Sequence, residues 1–221
     1  MSDHATRQRN VFVVDDHPIV RQGLVQLIER EPDLRVWGEA ADLKEARAQL
    51  SKATPDVVIL DLSLRDGDGL ELVKDIRSRN EQLPVLVLSM HDEAIYAERL
   101  LSAGANGYIM KQAAADELLQ AVRRVLGGGI YVSDAVGARM IERFAVSGRV
   151  QRADPIERLS NRELQVLNLI GRGRTTREIA ENLSLSVKTI ESHRQRIKKK
   201  LNLQTAPQLV QFAVNWYSGH H

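Results

Sequence analysis

Apolar residues in the first half of the chain fall into short continuous runs, and amphipathic segments separate them. The runs cover residues 11–14, 34–37, 57–60, 85–88 and 108–110. Runs of this length that are rich in Val, Ile and Leu are typical of parallel strands covered on both faces. Helical patterns span residues 18–30, 42–50, 69–79, 93–103 and 113–126. Five such units predict an α/β fold, with a five-stranded doubly wound parallel sheet in the order 2-1-3-4-5.

The first of these helical patterns illustrates how its buried face is predicted. Ile19, Leu24, Leu27 and Ile28 lie at spacings that place them roughly on one side of a helix. Pro18 suits the first helical turn, where its missing N–H costs nothing. We therefore expect a helix that begins at Pro18 and packs on the sheet through these four side chains.

The last third of the chain predicts a second, smaller domain that is entirely helical. Ser160 and Glu163 have the spacing of a capping box, which begins a helix. Helical patterns then cover residues 176–183, 187–201 and 206–217, and the turn between the first two is Ser184-Leu185-Ser186. Two helices joined by so short a turn have the helix-turn-helix form. The inward face of the helix after the turn is predicted to consist of Val187, Ile190, Ile197 and Leu201.

Glycines and polar residues divide the chain into two domains and a linker. Three glycines follow Leu126 and end the preceding helix, a helical pattern covers residues 134–145, and residues 147–155 are polar. We predict domains at residues 1–130 and 158–221, joined by a linker at 131–157 that contains a short helix. Residues 151–221 carry 12 basic and 6 acidic side chains, a net charge of +6, whereas the remainder has a net charge of −4. This division indicates separate partners for the two domains.

Composition excludes several kinds of protein. The chain has no cysteine, which rules out a disulfide framework and a thiolate metal site. No stretch approaches the roughly 18–20 apolar residues that a membrane span needs. Residues 1–10 are polar and lack the apolar core of a signal peptide. We therefore expect a cytoplasmic protein with no membrane partner.

Charged and hydroxyl side chains follow four of the predicted strands, at the point where each strand ends. Asp15 and Asp16 follow the first run, Asp61 the third, Ser89 the fourth and Lys111 the fifth. Because the carboxyl ends of parallel strands meet at one edge, where open α/β sheets bind ligands, we expect these groups to lie together. Three acids in one place require a counter-charge, and a hard divalent cation supplies it.

Each of these residues also has a purely structural interpretation. An Asp-Asp pair after a strand is commonly a helix cap or a turn, and Asp61 precedes a turn-rich segment. A lysine such as Lys111 is commonly solvated, and a tyrosine such as Tyr108 commonly belongs to a core or an interface. The joint pattern decides between the interpretations, because compatible residue types at four strand ends rarely arise from packing alone.

Four motifs in the first domain resemble a response-regulator receiver domain, which has a flavodoxin-like fold. They are Val-Asp-Asp-His-Pro at 14–18, Leu-Asp-Leu at 60–62, Val-Leu-Ser at 87–89 and Tyr-Ile-Met-Lys at 108–111. The resemblance implies that Asp61 accepts a phosphoryl group. It further implies Mg²⁺ held by the carboxylates of Asp15, Asp16 and Asp61 and by the backbone carbonyl of Ser63.

The same resemblance assigns roles to residues at the later strand ends. Ser89 and Lys111 are implied to contact the phosphoryl group, and Ser89 and Tyr108 to form the switch. These residue types suit the chemistry, since a carboxylate can attack phosphorus and a lysine can neutralise charge on the transferred group. Arg65 stands where many relatives carry proline, a departure that concerns the rigidity of this loop and the lifetime of the phosphorylated state.

Three motifs in the second domain resemble the LuxR-type helix-turn-helix. They are Leu-Ser-Asn-Arg-Glu at 159–163, Arg-Glu-Ile-Ala at 177–180 and Val-Lys-Thr-Ile-Glu-Ser-His at 187–193. With the receiver motifs, the chain resembles the NarL/FixJ family of response regulators over nearly its full length. The third helix of this domain is then the one expected to enter the major groove.

Position along that helix predicts how its side chains meet DNA. Glu191, Ser192 and Gln195 are expected to face base edges, where Glu accepts from cytosine and Gln pairs with adenine. The residues expected to contact phosphate are Lys188, Thr189, Arg196, Lys198 and Lys199. His193 and Lys200 are expected to add to the positive field. For Arg194 two roles remain open, namely packing against Glu163 and contact with DNA.

Two classes of function are compatible with these features. The first is a transcription regulator whose DNA binding is controlled by phosphorylation from a sensor histidine kinase, acting as a homodimer when phosphorylated and on RNA polymerase if it is an activator. The second is a phosphatase-like enzyme with Asp61 as its nucleophile. Such an enzyme usually carries a second Asp two residues later, but position 63 is Ser, which favours the regulator. A regulator that works without phosphorylation is disfavoured by the complete set of acceptor residues.

Overall fold

The structure is a computed structural model that describes residues 8–65, 67–80, 82–146 and 155–219, the side chains of 143–146 and 157 excepted. The chain divides into two compact units, Met1–Ala145 and Val146–His221. In the described part of the chain, no helix combines the length and the apolar character that crossing a membrane requires.

The first unit alternates strands and helices along the chain. Its elements are β1 (Arg9–Val14), α1 (Pro18–Glu29), β2 (Leu34–Ala40), α2 (Leu43–Leu50), β3 (Val57–Asp61), β4 (Ser63–Leu64), β5 (Gly67–Asp68), α3 (Gly69–Arg79), β6 (Val85–Ser89), α4 (Glu93–Ser102), β7 (Gly107–Met110), α5 (Ala115–Leu126) and α6 (Asp134–Val146). Five strands form one parallel sheet in the order β2-β1-β3-β6-β7, which confirms the predicted topology. The short antiparallel pair β4–β5 was not predicted.

The central strands are buried on both faces, as their continuous apolar sequences predict. All residues of β3 and β6 are buried, and side chains of β1, α1 and α5 complete one core cluster with them. In α1, Leu24 and Ile28 enter this core, but Ile19 is 86 % exposed. At about 100° per residue, Ile19 lies half a turn away from Ile28, so the prediction that they share a face was wrong.

A short extended segment after α5 covers the outer edge of β7. The amide of Tyr108 donates to the carbonyl of Tyr131 at 2.8 Å, and the amide of Tyr131 donates to the carbonyl of Asn106 at 3.0 Å. The Tyr131 hydroxyl bonds to Glu117, 3.1 Å away. The residues that follow α5 are therefore tied to the sheet before α6 begins.

The second unit is helical. After a 3-10 turn (Pro155–Arg158), its helices are α7 (Asn161–Gly171), α8 (Thr176–Asn182), α9 (Val187–Lys200) and α10 (Ala206–Ser218). The predicted capping box of Ser160 and Glu163 is confirmed, and α8 and α10 begin with boxes of the same kind. Ser184, with φ at +52°, provides the left-handed residue of the turn before α9. The helix-turn-helix is thus present, although Val187 at the start of α9 is 42 % exposed instead of facing inward.

Candidate functional site

The three acids at the carboxyl edge of the sheet lie together and are buried. Asp15 and Asp16 follow β1, Asp61 ends β3, and these two strands are neighbours in the sheet. We call Asp15, Asp16 and Asp61 the acid cluster. One carboxylate oxygen from each, together with a ring nitrogen of His17, lie within 4.8 Å of one another. The parallel topology therefore assembles in space what the sequence separates by 46 positions.

Lys111, just after β7, reaches into the acid cluster. Its Nζ lies 2.7 Å from Asp15 Oδ2 and 2.7 Å from Asp61 Oδ2. Burial works to lower the pKa of Lys111, but the two carboxylates outweigh it and hold the pKa above its ordinary value. The pKa of Asp61 is raised, because burial outweighs the attraction of Lys111 and Asp15 adds repulsion. Because one ammonium group faces three carboxyl groups, the electrostatic potential at this edge of the sheet is strongly negative.

The loop after β3 is held against the cluster by Asp16. The backbone N–H of Arg65 donates to Asp16 Oδ2 at 3.1 Å, and Arg65 Nε lies 3.2 Å from the same oxygen. The Arg65 side chain is otherwise exposed. An arginine here thus forms an ion pair at the rim of the site, which proline could not make.

His91 joins the three remaining residues that the sequence singled out. Its ring Nε2 lies 2.8 Å from the hydroxyl of Ser63, its amide donates to the buried hydroxyl of Ser89 at 3.1 Å, and its carbonyl accepts from the Tyr108 hydroxyl at 2.8 Å. The amide of Ser63 in turn donates to Asp61 Oδ1 at 3.1 Å. Tyr108 is fully buried, which raises the pKa of its hydroxyl. The predicted switch residues are therefore connected to the acid cluster through His91.

The exposed surface of α9 carries most of the residues predicted to meet DNA. The exposed members of this set are Lys188, Glu191, Ser192, Gln195, Arg196 and Lys199. Thr189 and Lys198 are half-buried, and the Thr189 hydroxyl lies 2.8 Å from that of Ser186, which caps the helix. The face is polar and carries a net positive charge, as contact with a polyanion requires.

Lys200, near the end of the same helix, has a structural role that the sequence did not reveal. Its Nζ lies 2.6 Å from Oε2 of Glu163, which is buried at the start of α7. Burial works to raise the pKa of Glu163, but Lys200 and the amide of Ser160 together lower it below its ordinary value. Glu163 was considered a partner for Arg194, which is half-buried in α9. Its partner is Lys200, and so this lysine anchors α9 on α7.

His193 faces the interior side of α9 and adds little to the positive field. Its pKa is lowered by burial and, to a smaller extent, by the neighbouring cations Arg196 and Arg162. This environment favours the neutral ring of His193, in contrast to the expectation that the residue adds to the positive field.

Comparison with known proteins matches each unit to a family. The response regulator receiver domain matches residues 11–123, and the luxR family of bacterial regulatory proteins matches residues 157–213. Oxygen regulatory protein NreC of Staphylococcus carnosus is 38 % identical over 209 residues, covering 92 % of this chain and 96 % of the relative. NreC of Staphylococcus epidermidis is 36 % identical with the same coverage. The protein belongs to the NarL/FixJ response regulators.

Solved structures of other response regulators agree with this assignment. RcsB from Salmonella enterica serovar Typhimurium, bound to promoter rprA with a phosphomimetic, is 29 % identical, with a TM-score of 0.58 and coverage of 94 % of this chain and 99 % of that one. A LuxR-family regulator from an Aurantimonas species is 36 % identical, with a TM-score of 0.58, over 62 % of this chain and 99 % of that one. The family consists of DNA-binding transcription regulators and not of enzymes that turn over external substrates.

Receiver domains bind Mg²⁺ at a cluster of acidic residues, and the acid cluster of this response regulator fits such an ion. Oxygen ligands are those that Mg²⁺ prefers. The buried atoms Asp15 Oδ2 and Asp16 Oδ1 make no aligned hydrogen bond among the described residues, although Lys111 Nζ lies near the first and His17 Nδ1 near the second. Burial already separates these carboxylate oxygens from water. A divalent cation bound to them would therefore stabilise them more than water does.

Two residues of the response regulator's site escaped the sequence reasoning. No role was predicted for His17, although its position directly after two acids is a signal for a metal ligand or an ion pair. His91 gave no usable signal, because its role rests on bonds to Ser63 and Tyr108, whose proximity depends on the packing of two loops.

Proposed function

We propose that this response regulator receives a phosphoryl group on Asp61 and that phosphorylation controls its binding to specific DNA sequences. The observation that carries the proposal is the contact of Asp61 with Lys111 inside the acid cluster, at the sheet edge where ligands bind. A buried carboxylate beside a buried ammonium is arranged to attack an anionic donor that the ammonium attracts.

The residues divide the transfer among them. An oxygen of the Asp61 carboxylate forms the new bond to phosphorus, while the bond from phosphorus to the donor's leaving group breaks and its electrons depart with that group. Lys111, already 2.7 Å from Asp61, neutralises charge on the incoming phosphoryl oxygens. Mg²⁺, held by Asp15, Asp16, Asp61 and the Ser63 carbonyl, would supply further charge neutralisation.

The switch operates through residues already in contact. We expect phosphorylated Asp61 to draw the Ser89 hydroxyl toward it, which disturbs the bond from the His91 amide. Tyr108 occupies the buried position and bonds the His91 carbonyl, so it stabilises one arrangement of this loop. Phosphorylation then shifts the population between two arrangements that both exist beforehand.

The output follows from the second unit. We propose that α9 enters the major groove, with Glu191, Ser192 and Gln195 at base edges and the basic residues at phosphates. The RcsB neighbours are described as dimers bound to DNA, which supports a homodimer here and paired half-sites. The remaining proposed partners are a sensor histidine kinase, which the receiver domain implies, and RNA polymerase if the regulator activates transcription.

A phosphorylation assay with paired variants tests the acceptor. The protein is incubated with acetyl phosphate and Mg²⁺, and intact mass spectrometry measures the gain of one phosphoryl group. Asp61→Asn should keep the fold and lose the gain. Asp68→Asn is the control, because Asp68 is the N-cap residue of α3 and asparagine caps a helix equally well. An acid-labile phosphoryl group on Asp61→Asn at the wild-type level would refute the assignment.

Selection of DNA from a random pool tests the division of roles along α9. Gln195→Ala and Glu191→Ala should change the preferred sequence, at a cost of about 1–3 kcal/mol of discrimination for a good base contact. Lys188→Ala and Lys199→Ala should weaken binding to all sequences alike and reduce the salt slope by about 0.9 per lost phosphate contact. Equal loss of specific and random binding in Gln195→Ala, with preference intact, would contradict the division.

A further inference from the structure

We propose that His17 is a nitrogen ligand of the divalent cation at the acid cluster, so that the site binds Mn²⁺ more tightly relative to Mg²⁺ than the same site with oxygen ligands alone would. This inference rests on the proposed function, because it concerns the same cation site. It adds a ligand and a metal preference that three carboxylates and a carbonyl do not provide.

The backbone holds His17 at the mouth of the cluster. Its amide donates to Asp15 Oδ1 at 2.7 Å, and Pro18 fixes the start of α1 directly after it. His17 is the N-cap residue of α1, yet its side chain makes no capping hydrogen bond. Helices favour Ser, Thr, Asp or Asn at this position because such side chains cap the first turn. The imidazole is thus not used by its own helix and turns to the acids instead.

Distances place the ring nitrogen within reach of a shared cation. His17 Nδ1 lies 2.7 Å from Asp16 Oδ1, 3.1 Å from Asp15 Oδ1 and 3.7 Å from Asp61 Oδ2. Ligands of one small octahedral ion stand about 3 Å apart when adjacent and about 4.2 Å apart when opposite, given bonds of about 2.1 Å. Separations in this range suit one coordination sphere after small side-chain movements.

Accessibility distinguishes the imidazole from the carboxylates. The His17 side chain is 58 % exposed, whereas the three acids are buried. The imidazole is therefore the solvent-facing member of the four-residue metal group. An exposed ring can also rotate to present Nδ1, which a packed ring could not do without cost.

Ligand chemistry gives the expected consequence. Imidazole nitrogen suits Mn²⁺ less than it suits Co²⁺ or Zn²⁺, but it suits all three better than Mg²⁺, for which oxygen ligands are strongly preferred. The alternative is an ordinary hydrogen bond in which Nδ1–H donates to Asp16. That alternative predicts no nitrogen on the metal and no change in the ratio of affinities when His17 is replaced.

The test uses Mn²⁺ as the probe, with untagged full-length protein at one fixed pH. Calorimetry measures the Kd for Mn²⁺ and for Mg²⁺, and pulsed electron paramagnetic resonance detects nitrogen coupled to bound Mn²⁺. The test variant is His17→Asn, which replaces a nitrogen ligand by an amide oxygen and suits the N-cap. The control is His193→Asn, because His193 lies in α9 of the helical unit and does not belong to the four-residue metal group.

The wild type and His193→Asn should show nitrogen coupling, and His17→Asn should lose it. The preference for Mn²⁺ over Mg²⁺ should fall by about tenfold in His17→Asn, since even groups that only orient a ligand are worth about 10–100-fold in affinity. Coupling that is absent from the wild type, or that persists in His17→Asn, would overturn the inference and leave the proposed function standing. If the wild type binds neither cation, the inference and the magnesium part of the proposed function both fail.

Discussion

Replacement of Lys200 by methionine should destabilise the helical unit, because the buried carboxylate of Glu163 then loses its counter-charge. Removing one partner of a fully buried ion pair typically costs about 3–5 kcal/mol. The Lys200 side chain is 39 % exposed, so water screens part of the interaction, and we expect about 1–3 kcal/mol here. Lys199→Met provides the matched control, since this neighbouring lysine is exposed on α9.

Urea unfolding followed by Trp216 fluorescence measures this loss in the helical unit. Trp37, the other tryptophan, lies in β2 of the first unit and is replaced by phenylalanine in every variant. With a slope of about 1–3 kcal/mol per molar urea, Lys200→Met should lower the unfolding midpoint by about 1 M. The Lys199→Met midpoint should stay close to that of its parent.

Acidification gives this prediction a second, independent part. Because the folded-state pKa of Glu163 lies below its ordinary value of 4.5, the stability from its ionisation is complete above pH 4.5 and is lost as the pH falls through the folded-state pKa. Without Lys200, burial favours protonation of Glu163, and a neutral carboxyl needs no counter-charge. The deficit of Lys200→Met should therefore shrink below about pH 4.5. A deficit that is equal at pH 7 and pH 4, or matched by Lys199→Met, would refute the reasoning.

Two further predictions concern the first unit, whose urea unfolding is followed by the fluorescence of Trp37. Gly104→Ala should lower the free energy of unfolding by about 2 kcal/mol or more, because φ is +103° and the new Cβ would lie 2.6 Å from Arg77. Gly23→Ala in α1 has open space around the new Cβ and should raise the free energy of unfolding by up to about 1 kcal/mol. Similar effects of the two substitutions would contradict this reasoning. Arg77→Met should cost about 2–4 kcal/mol, because Arg77 donates to the carbonyls of Gly104 and Leu83, while Arg79→Met, at an exposed position, should cost little. Equal midpoints for these two arginine variants would show that the bonds of Arg77 are not stabilising.

Much of the fold was accessible from local pattern alone. The runs that became β3 and β6 are short and continuously apolar, and a strand covered on both faces buries such a run completely. The proximity of Asp15, Asp16 and Asp61 was predictable because strand direction alone determines which strand ends lie at the same edge of the sheet. Capping by Ser160 and Glu163 was equally predictable, since a capping box involves residues three positions apart.

What escaped prediction depends on how separate elements approach each other. That Glu163 pairs with Lys200 and not Arg194 is decided by the crossing of α7 and α9, which no single-helix pattern contains. His91 acquires its role only when its loop lies beside Ser63. The error at Ile19 has a different cause. The residue is apolar but points away from the core, and it was predicted to be buried because it is apolar, although its angle around the helix places it opposite Ile28.

The short extended segment at Tyr131 has a consequence for anyone who divides this protein into fragments. β7 is the last strand of the sheet, and Tyr131 occupies its outer hydrogen-bonding groups at Tyr108 and Asn106. The receiver family match ends at residue 123, before this segment. A fragment cut there would expose an open strand edge, which is a template for pairing with another copy. Self-association of such a fragment would then reflect the cut and not the native assembly, and fragments that extend through α6 avoid this artefact.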